Sequence, residues 1–156
     1  MQFSFEFTAS AESIFEHITD PDFVMSRCEA LGSIEASCES DGQDLPTIIT
    51  RRVEQAELPS MMKKIIGEQQ TTETKEQWSE TDVSYESESQ TSIAGTPIKI
   101  GVNQSLYNTD DGSEISVELS VVAKIPLVGK KVEPMVATKI RQEMLREFEY
   151  LENAVS

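Results

Sequence analysis

The last quarter of the chain places the tightest limit on its fold: a strand-like run from Glu114 to Ala123 breaks at Pro126 and Gly129 and gives way to one long amphipathic helix. In that helix Val132, Met135, Val136, Ile140, Met144, Phe148, Leu151 and Val155 recur at steps of three and four, which puts them on one broad face, with Lys139, Arg146 and Glu149 opposite. At a rise of ~1.5 Å per residue, about 25 helical residues span roughly 37 Å, enough to cross a whole domain of this size. Such a helix needs a sheet to lie against, and the preceding residues must supply it.

They do so from the first residues onward. Phe3, Phe5 and Phe7 alternate with Ser4, Glu6 and Thr8, the period-two pattern of a strand with one buried face. Ser10 can cap a short helix carrying Ala11, Ile14, Phe15 and Ile18, and Asp20-Pro21 starts a second one as N-cap and N1, running to about Leu31 before Gly32. Strands follow at Ser33 to Ser40 and Thr47 to Glu54, separated by the turn-forming pair Asp41-Gly42. Leu58 to Gly67, with Leu58, Met61, Met62, Ile65 and Ile66 at helical spacing, reads as a short amphipathic helix or ordered loop. Further strands are expected at Glu68 to Trp78, Val83 to Thr91, Pro97 to Asn108 and Gly112 to Lys124. The order β-α-α-β6-α points to an α+β fold, with an antiparallel sheet packed against helices on one face.

The length of 156 residues fits one domain spanning 1–156, large enough to bury a core without disulfides or metal. Its net charge of −15, from 28 acidic and 13 basic residues, argues against nucleic acid as a partner, because binding a polyanion needs Lys and Arg to displace its counterions. Solubility is the plainest use of that charge, with a cationic ligand, a basic partner protein or a salty habitat as alternatives. No basic and apolar leader opens the sequence and no apolar run approaches the ~20 residues that span a bilayer. The expectation is a cytoplasmic chain without integral membrane association, whose Cys28 and Cys38 are free thiols.

This order of elements resembles the START-like, or SRPBCC, superfamily, and the likeness covers essentially the whole chain. Phe3-Ser4-Phe5-Glu6-Phe7, Ala11-Glu12-Ser13-Ile14-Phe15, Thr19-Asp20-Pro21-Asp22-Phe23 and Arg27-Cys28-Glu29-Ala30-Leu31-Gly32 look like an uncharacterised bacterial family within it. Leu58-Pro59, Ile65-Ile66-Gly67 and Ile125-Pro126-Leu127-Val128-Gly129 match later landmarks. The resemblance implies a helix-grip fold, a seven-stranded antiparallel sheet wrapped around a long C-terminal helix. It also implies a cavity between sheet and helix, which relatives use for lipids, sterols, polyketides or other apolar molecules. Some relatives are enzymes and many only bind.

Strand alternation identifies the side chains that would face such a cavity. A four-residue hairpin loop from Ser79 to Asp82 sets Trp78 opposite Val83, Glu76 opposite Tyr85, Thr74 opposite Ser87 and Thr72 opposite Ser89 on one face. The other face, with Lys75, Glu73, Glu86 and Glu88, belongs in water, so the first must look inward. Burying the Glu76 carboxylate alone would cost several kcal/mol or force its protonation, so it should be hydrated, paired or presented to a ligand. The candidate ligand-binding set is Phe5, Phe7, Met61, Ile65, Glu76, Trp78, Tyr85, Met144 and Phe148. Glu76 and Tyr85 supply the polar contacts, and Met61 and Ile65 belong to a segment that either packs in the core or acts as a lid.

Catalytic signatures are sparse. His17 is the only histidine, on the flank of an apolar stripe, and no spaced cysteine cluster, phosphate loop or nucleophile elbow is present. Of Arg51 and Arg52, one should point inward by alternation, where it could pair with Glu76 or an anionic ligand. The leading expectation is therefore a binding protein without cofactor or metal, whose ligand is a small, apolar or amphipathic molecule. A cavity enzyme of the cyclase, dehydratase or isomerase type using Glu76 or Tyr85 is the alternative, followed by a protein-interaction module without a small ligand.

Overall fold

The computed structural model describes residues 1–56, 60, 64 and 67–156. The elements run β1 (Gln2–Phe7), α1 (Ala11–Ile18), α2 (Pro21–Ala30), β2 (Glu35–Ser40), β3 (Thr47–Gln55), β4 (Gln69–Glu80), β5 (Ser84–Ile93), β6 (Ile98–Thr109), β7 (Gly112–Ala123) and α3 (Gly129–Val155). One seven-stranded sheet has the order β1-β7-β6-β5-β4-β3-β2, antiparallel throughout. β2 to β7 form a meander, and α1 and α2 carry the chain from the β1 edge to the β2 edge.

Both short helices start where their caps dictate. Ser10 accepts a hydrogen bond from the Ser13 amide at 3.2 Å, and Asp20 accepts from Asp22 at 3.0 Å with Pro21 at the first helical position. α1 then buries Ala11, Ile14 and Ile18 against the sheet.

α3 is anchored to the sheet near both ends. The Ala123 amide donates to Glu133 at 2.9 Å, and the Thr8 amide donates to Glu152 at 3.0 Å. Between these anchors Val132, Val136, Phe148 and Leu151 are buried in a core that includes Ile98, Leu106, Ile115 and Leu119. Met135, expected on the apolar face, is 48% exposed instead. Ile140 and Met144 are only partly buried, because the sheet opposite them recedes into a cavity.

The junction between β7 and α3 requires glycine at 129. A Cβ added there would lie 2.2 Å from the Ala123 carbonyl oxygen. Gly129→Ala should therefore force the helix start away from the strand, lowering stability by about 1–3 kcal/mol. Urea titration checks this, and an unchanged midpoint would show that the junction has slack.

Candidate functional site

Seen from α3, the inner face of the sheet divides into two chemically different halves. β1, β7 and most of β6 present Phe3, Phe5, Phe7, Ile115, Val117, Leu119, Ile100, Val102 and Leu106. β3, β4 and β5 present Thr50, Arg52, Gln70, Thr72, Thr74, Glu76, Ser89 and Thr91 on the same side. Where the polar half meets α3, side chains do not fill the space, and a cavity of 130 Å³ remains. Its apolar wall includes Val136, Ile140, Met144 and Phe148 of the helix with Ile93, Ile100 and Val102 of the sheet.

Much of the polar wall satisfies itself. Thr74 and Thr91 share a hydrogen bond of 2.7 Å across β4 and β5, and Gln104 donates to Ser87 at 3.1 Å. Among the described residues, two lining atoms have no such partner: Gln70 Oε1 and Thr72 Oγ1, on residues 9% and 6% exposed. Buried polar atoms are nearly always hydrogen-bonded, so these two stand out in the cavity wall.

At the end of the cavity nearest α2 lies an ionic cluster. Glu147 of α3 binds Arg27 through one carboxylate oxygen at 3.2 Å and Arg52 through the other at 3.3 Å, and Arg52 also pairs with Glu54 at 3.3 Å. All four side chains are at most 20% exposed. Arg27, Arg52, Glu143 and Glu147 also line a second cleft on the far side of the cluster, so these residues stand between the cavity and the surface.

Two further carboxyls face the cavity without being absorbed by those pairs. Burial pushes Glu76 up to about 7, an effect that Arg27 and the Trp78 indole offset only in part and that Glu147 reinforces. The indole lies near enough to influence the carboxyl, although its Nε1 makes no hydrogen bond of normal geometry. Glu76 keeps some accessible surface because it faces the cavity, yet it sits deep in the fold. Glu143 is likewise raised to about 7, chiefly by burial and then by Glu54, against the opposing charges of Arg52 and Lys139.

Of the side chains singled out in the sequence, Glu76, Met144 and Phe148 meet at this cavity. Phe5 and Phe7 stand behind Phe148, their ring centroids 5.7 and 5.9 Å from it, and support the wall without forming it. Trp78 packs edge-on against Phe15 of α1 at 5.3 Å, and Tyr85 stacks on the same ring at 4.1 Å. Met61 and Ile65 lie outside the described residues, as does the choice between lid and core for their segment.

The hairpin also differs from its expected register. β4 runs to Glu80, the turn is closed by a 2.8 Å hydrogen bond from the Thr81 amide to the Ser84 carbonyl, and Glu76 faces Ser89 instead of Tyr85. β4 thus runs two residues further than expected, β5 starts one residue later, and the partner of each β4 residue moves by four positions. An even offset leaves the inward face unchanged, but it moves Tyr85 opposite Glu80, two same-face rungs from Glu76. Tyr85 and Glu76 do not form a pair.

Arg52 is the inward member of its doublet and Arg51 the outward one, paired with Glu73 at 2.6 Å. Arg52 is held by Glu54 and Glu147 and not by Glu76. His17 Nδ1 donates to the Ser13 carbonyl at 2.7 Å, and the ring packs edge-on against Phe23. Lys139, placed opposite the apolar face by sequence, lines the cavity. Among the described residues no cluster of His, Cys, Asp and Glu could hold a metal ion, and no helix is long and apolar enough to cross a membrane.

A seven-stranded antiparallel sheet gripping a long C-terminal helix is the helix-grip architecture of the START superfamily. Solved structures share it over nearly their whole length. A Thermus thermophilus protein matches with a TM-score of 0.66 at 14% identity, over 98% of this chain and 94% of its own. A START superfamily protein from Mycobacterium smegmatis matches with a TM-score of 0.61 at 18% identity, over 99% and 95%. A conserved protein from Geobacillus kaustophilus gives 0.60 at 12% identity, over 99% and 93%. At these identities the likeness is one of fold alone. The chain belongs to the family described as protein of unknown function DUF2505, which it matches over residues 2–155. No curated protein matches the chain.

Proposed function

We propose that this protein binds a small molecule, largely apolar but bearing at least one polar group, in the cavity between the sheet and α3. The observation that carries this reading is the pair of unpartnered, deeply buried atoms Gln70 Oε1 and Thr72 Oγ1 in a cavity whose opposite wall is apolar. At 130 Å³ the space is close to the ~150 Å³ that holds a benzene ring in an apolar protein cavity. It therefore favours a compact molecule over a sterol or a long acyl chain. Free Cys28 and Cys38 are consistent with work in the reducing cytoplasm.

Native mass spectrometry of protein purified without detergent tests the reading. A discrete added mass, lost on denaturation and lost again in a cavity-filling Met144→Trp variant, is the expected result. An added mass that persists in Met144→Trp would place the ligand elsewhere.

One observation favours a second reading, an acid-base enzyme of the cyclase, dehydratase or isomerase type: Glu76 and Glu143 face the same cavity with pKa values of about 7, near the working pH of a general acid or base. On that reading a molecule extracted from the protein would be converted by the wild type and left intact by Glu76→Gln.

A further inference from the structure

The acidic residues of this chain are unevenly spread, and they leave one edge of the molecule bare. No Asp or Glu occurs between Glu88 and Asp110 or between Glu118 and Glu133. Those two stretches meet where β6 begins and β7 ends: Lys99 pairs with Val122, and the Lys124 amide donates to the Pro97 carbonyl at 3.4 Å. From there the loop between β7 and α3 turns back on itself, the Gly129 amide donating to the Ile125 carbonyl at 2.9 Å. Lys99, Lys124, Lys130 and Lys131 are all exposed, and among the described residues none of them makes an ion pair. Glu133, the first carboxylate after the loop, is turned to the Ala123 amide. A chain of net charge −15 thus carries a local group of unpaired cations at this edge.

Between Lys124 and Lys130 stands Leu127, fully exposed and at a φ of 71°. Among the described residues it is the one non-glycine at positive φ. A bulky side chain is disfavoured in the left-handed region, where glycine costs nothing. Leucine here therefore keeps an apolar side chain in water on a strained backbone, and packing within the chain does not account for it. Strain of this kind gathers where a structure makes functional contacts. Pro97, Pro126 and Val122, all exposed, extend the apolar surface beside it.

We infer that this edge docks on a bilayer surface that carries anionic lipids, with Pro126 and Leu127 entering the headgroup layer and the lysines meeting lipid phosphates around them. An apolar tip ringed by lysines is the chemistry of interfacial attachment. The first turn of α3 holds no acidic residue and no side-chain cap, so the positive end of the helix adds to the lysines. An acidic protein would also match the charges, but a stable protein interface needs about 800 Å² on each side, and a single projecting leucine suits a lipid layer better. The acidic remainder of the surface is repelled by such a bilayer. Charges further than ~8 Å from it are largely screened at physiological ionic strength, so the protein should approach tip first and attach reversibly. Neither Leu127 nor these lysines line the cavity, which makes docking separable from whatever the cavity binds.

Sedimentation of the full chain with vesicles of phosphatidylcholine alone, and of phosphatidylcholine and phosphatidylglycerol in equal parts, tests the docking surface. Binding to the mixed vesicles should be at least about tenfold tighter than to phosphatidylcholine, and should be lost near ~0.5 M salt. Joint replacement Lys130→Gln and Lys131→Gln should weaken it by roughly 25-fold, at about fivefold per lysine. Leu127→Gly should weaken it by about tenfold without lowering Tm, since glycine suits the backbone there. Sedimentation unchanged in both variants would overturn the inference, as would none with either vesicle at millimolar lipid. A concentration-dependent dimer in light scattering that Leu127→Gly abolishes would overturn it in favour of a second copy of the chain covering the loop.

Discussion

Replacing Arg52 by methionine should lower folding stability by about 3–5 kcal/mol near pH 8, the usual consequence of removing one member of a buried ion pair. The methionine can fill much of the space of the arginine stem, so the loss comes from the charges left behind. Glu147 keeps Arg27 but loses its second cationic contact, and Glu54 keeps a 3.2 Å hydrogen bond from Ser33 but loses its ion pair with Arg52. Arg52 is also one of two charges that hold Glu143 down. Without it, Glu143 should move above its present value of about 7. A carboxyl whose folded value lies above its unfolded one binds more protons in the folded state, so stability falls as pH rises through the interval between the two values. The deficit of Arg52→Met should therefore widen from about pH 5 to pH 8. Urea unfolding at both values, with the denaturant slope unchanged, would measure it. A deficit below about 1 kcal/mol at pH 8 would mean that the cluster is already hydrated.

The same cluster shows where the sequence was legible. Alternation of Phe3, Phe5 and Phe7 with polar residues, caps at Ser10 and Asp20, and the stripe on α3 each report a local preference that tertiary packing reinforces. The inward face of β4 and β5 was legible too, despite the misplaced turn. Side-chain parity survives a four-residue change in pairing register, whereas the identity of the opposed pair does not. The turn forms at Thr81 because its hydroxyl caps the amides of Val83 and Ser84 at 3.3 and 3.1 Å, a local bond that outcompetes the longer loop.

The site itself was harder to read, since its polar groups come together only through the curvature of the sheet. Arg27 on α2, Arg52 on β3 and Glu147 on α3 have no sequence relation that announces a cluster. One signal was available: Val136, Ile140, Glu143 and Glu147 continue a four-three-four step, so two carboxyls lie on the helix face that also carries Met144 and Phe148. A charged residue inside an apolar stripe needs a partner or a cavity, and here both are present. Trp78 and Tyr85 stand outside the cavity wall for the opposite reason. Their rings are large enough to be claimed by α1, where Phe15 packs against both.

Glu76→Gln should make the protein more stable at neutral pH and above. The folded carboxyl titrates at about 7, above its ordinary value of 4.5. Between those values the folded chain retains a proton that the unfolded chain has released, so the native state loses stability as pH rises across the interval and carries the full penalty above about pH 7. That penalty is on the order of 3 kcal/mol for a shift of this size. Glutamine carries no ionisable group, so the variant should match the wild type near pH 4.5 and exceed it at pH 8, by roughly 6–12 °C in Tm for a chain of this length. A residue retained only for packing would show no such crossover. A variant less stable than the wild type at both values would mean that Glu76 is bound to partners that stabilise its charged form. A gain in stability that appears only as the pH rises is what a buried carboxyl held at a cost to the fold should produce.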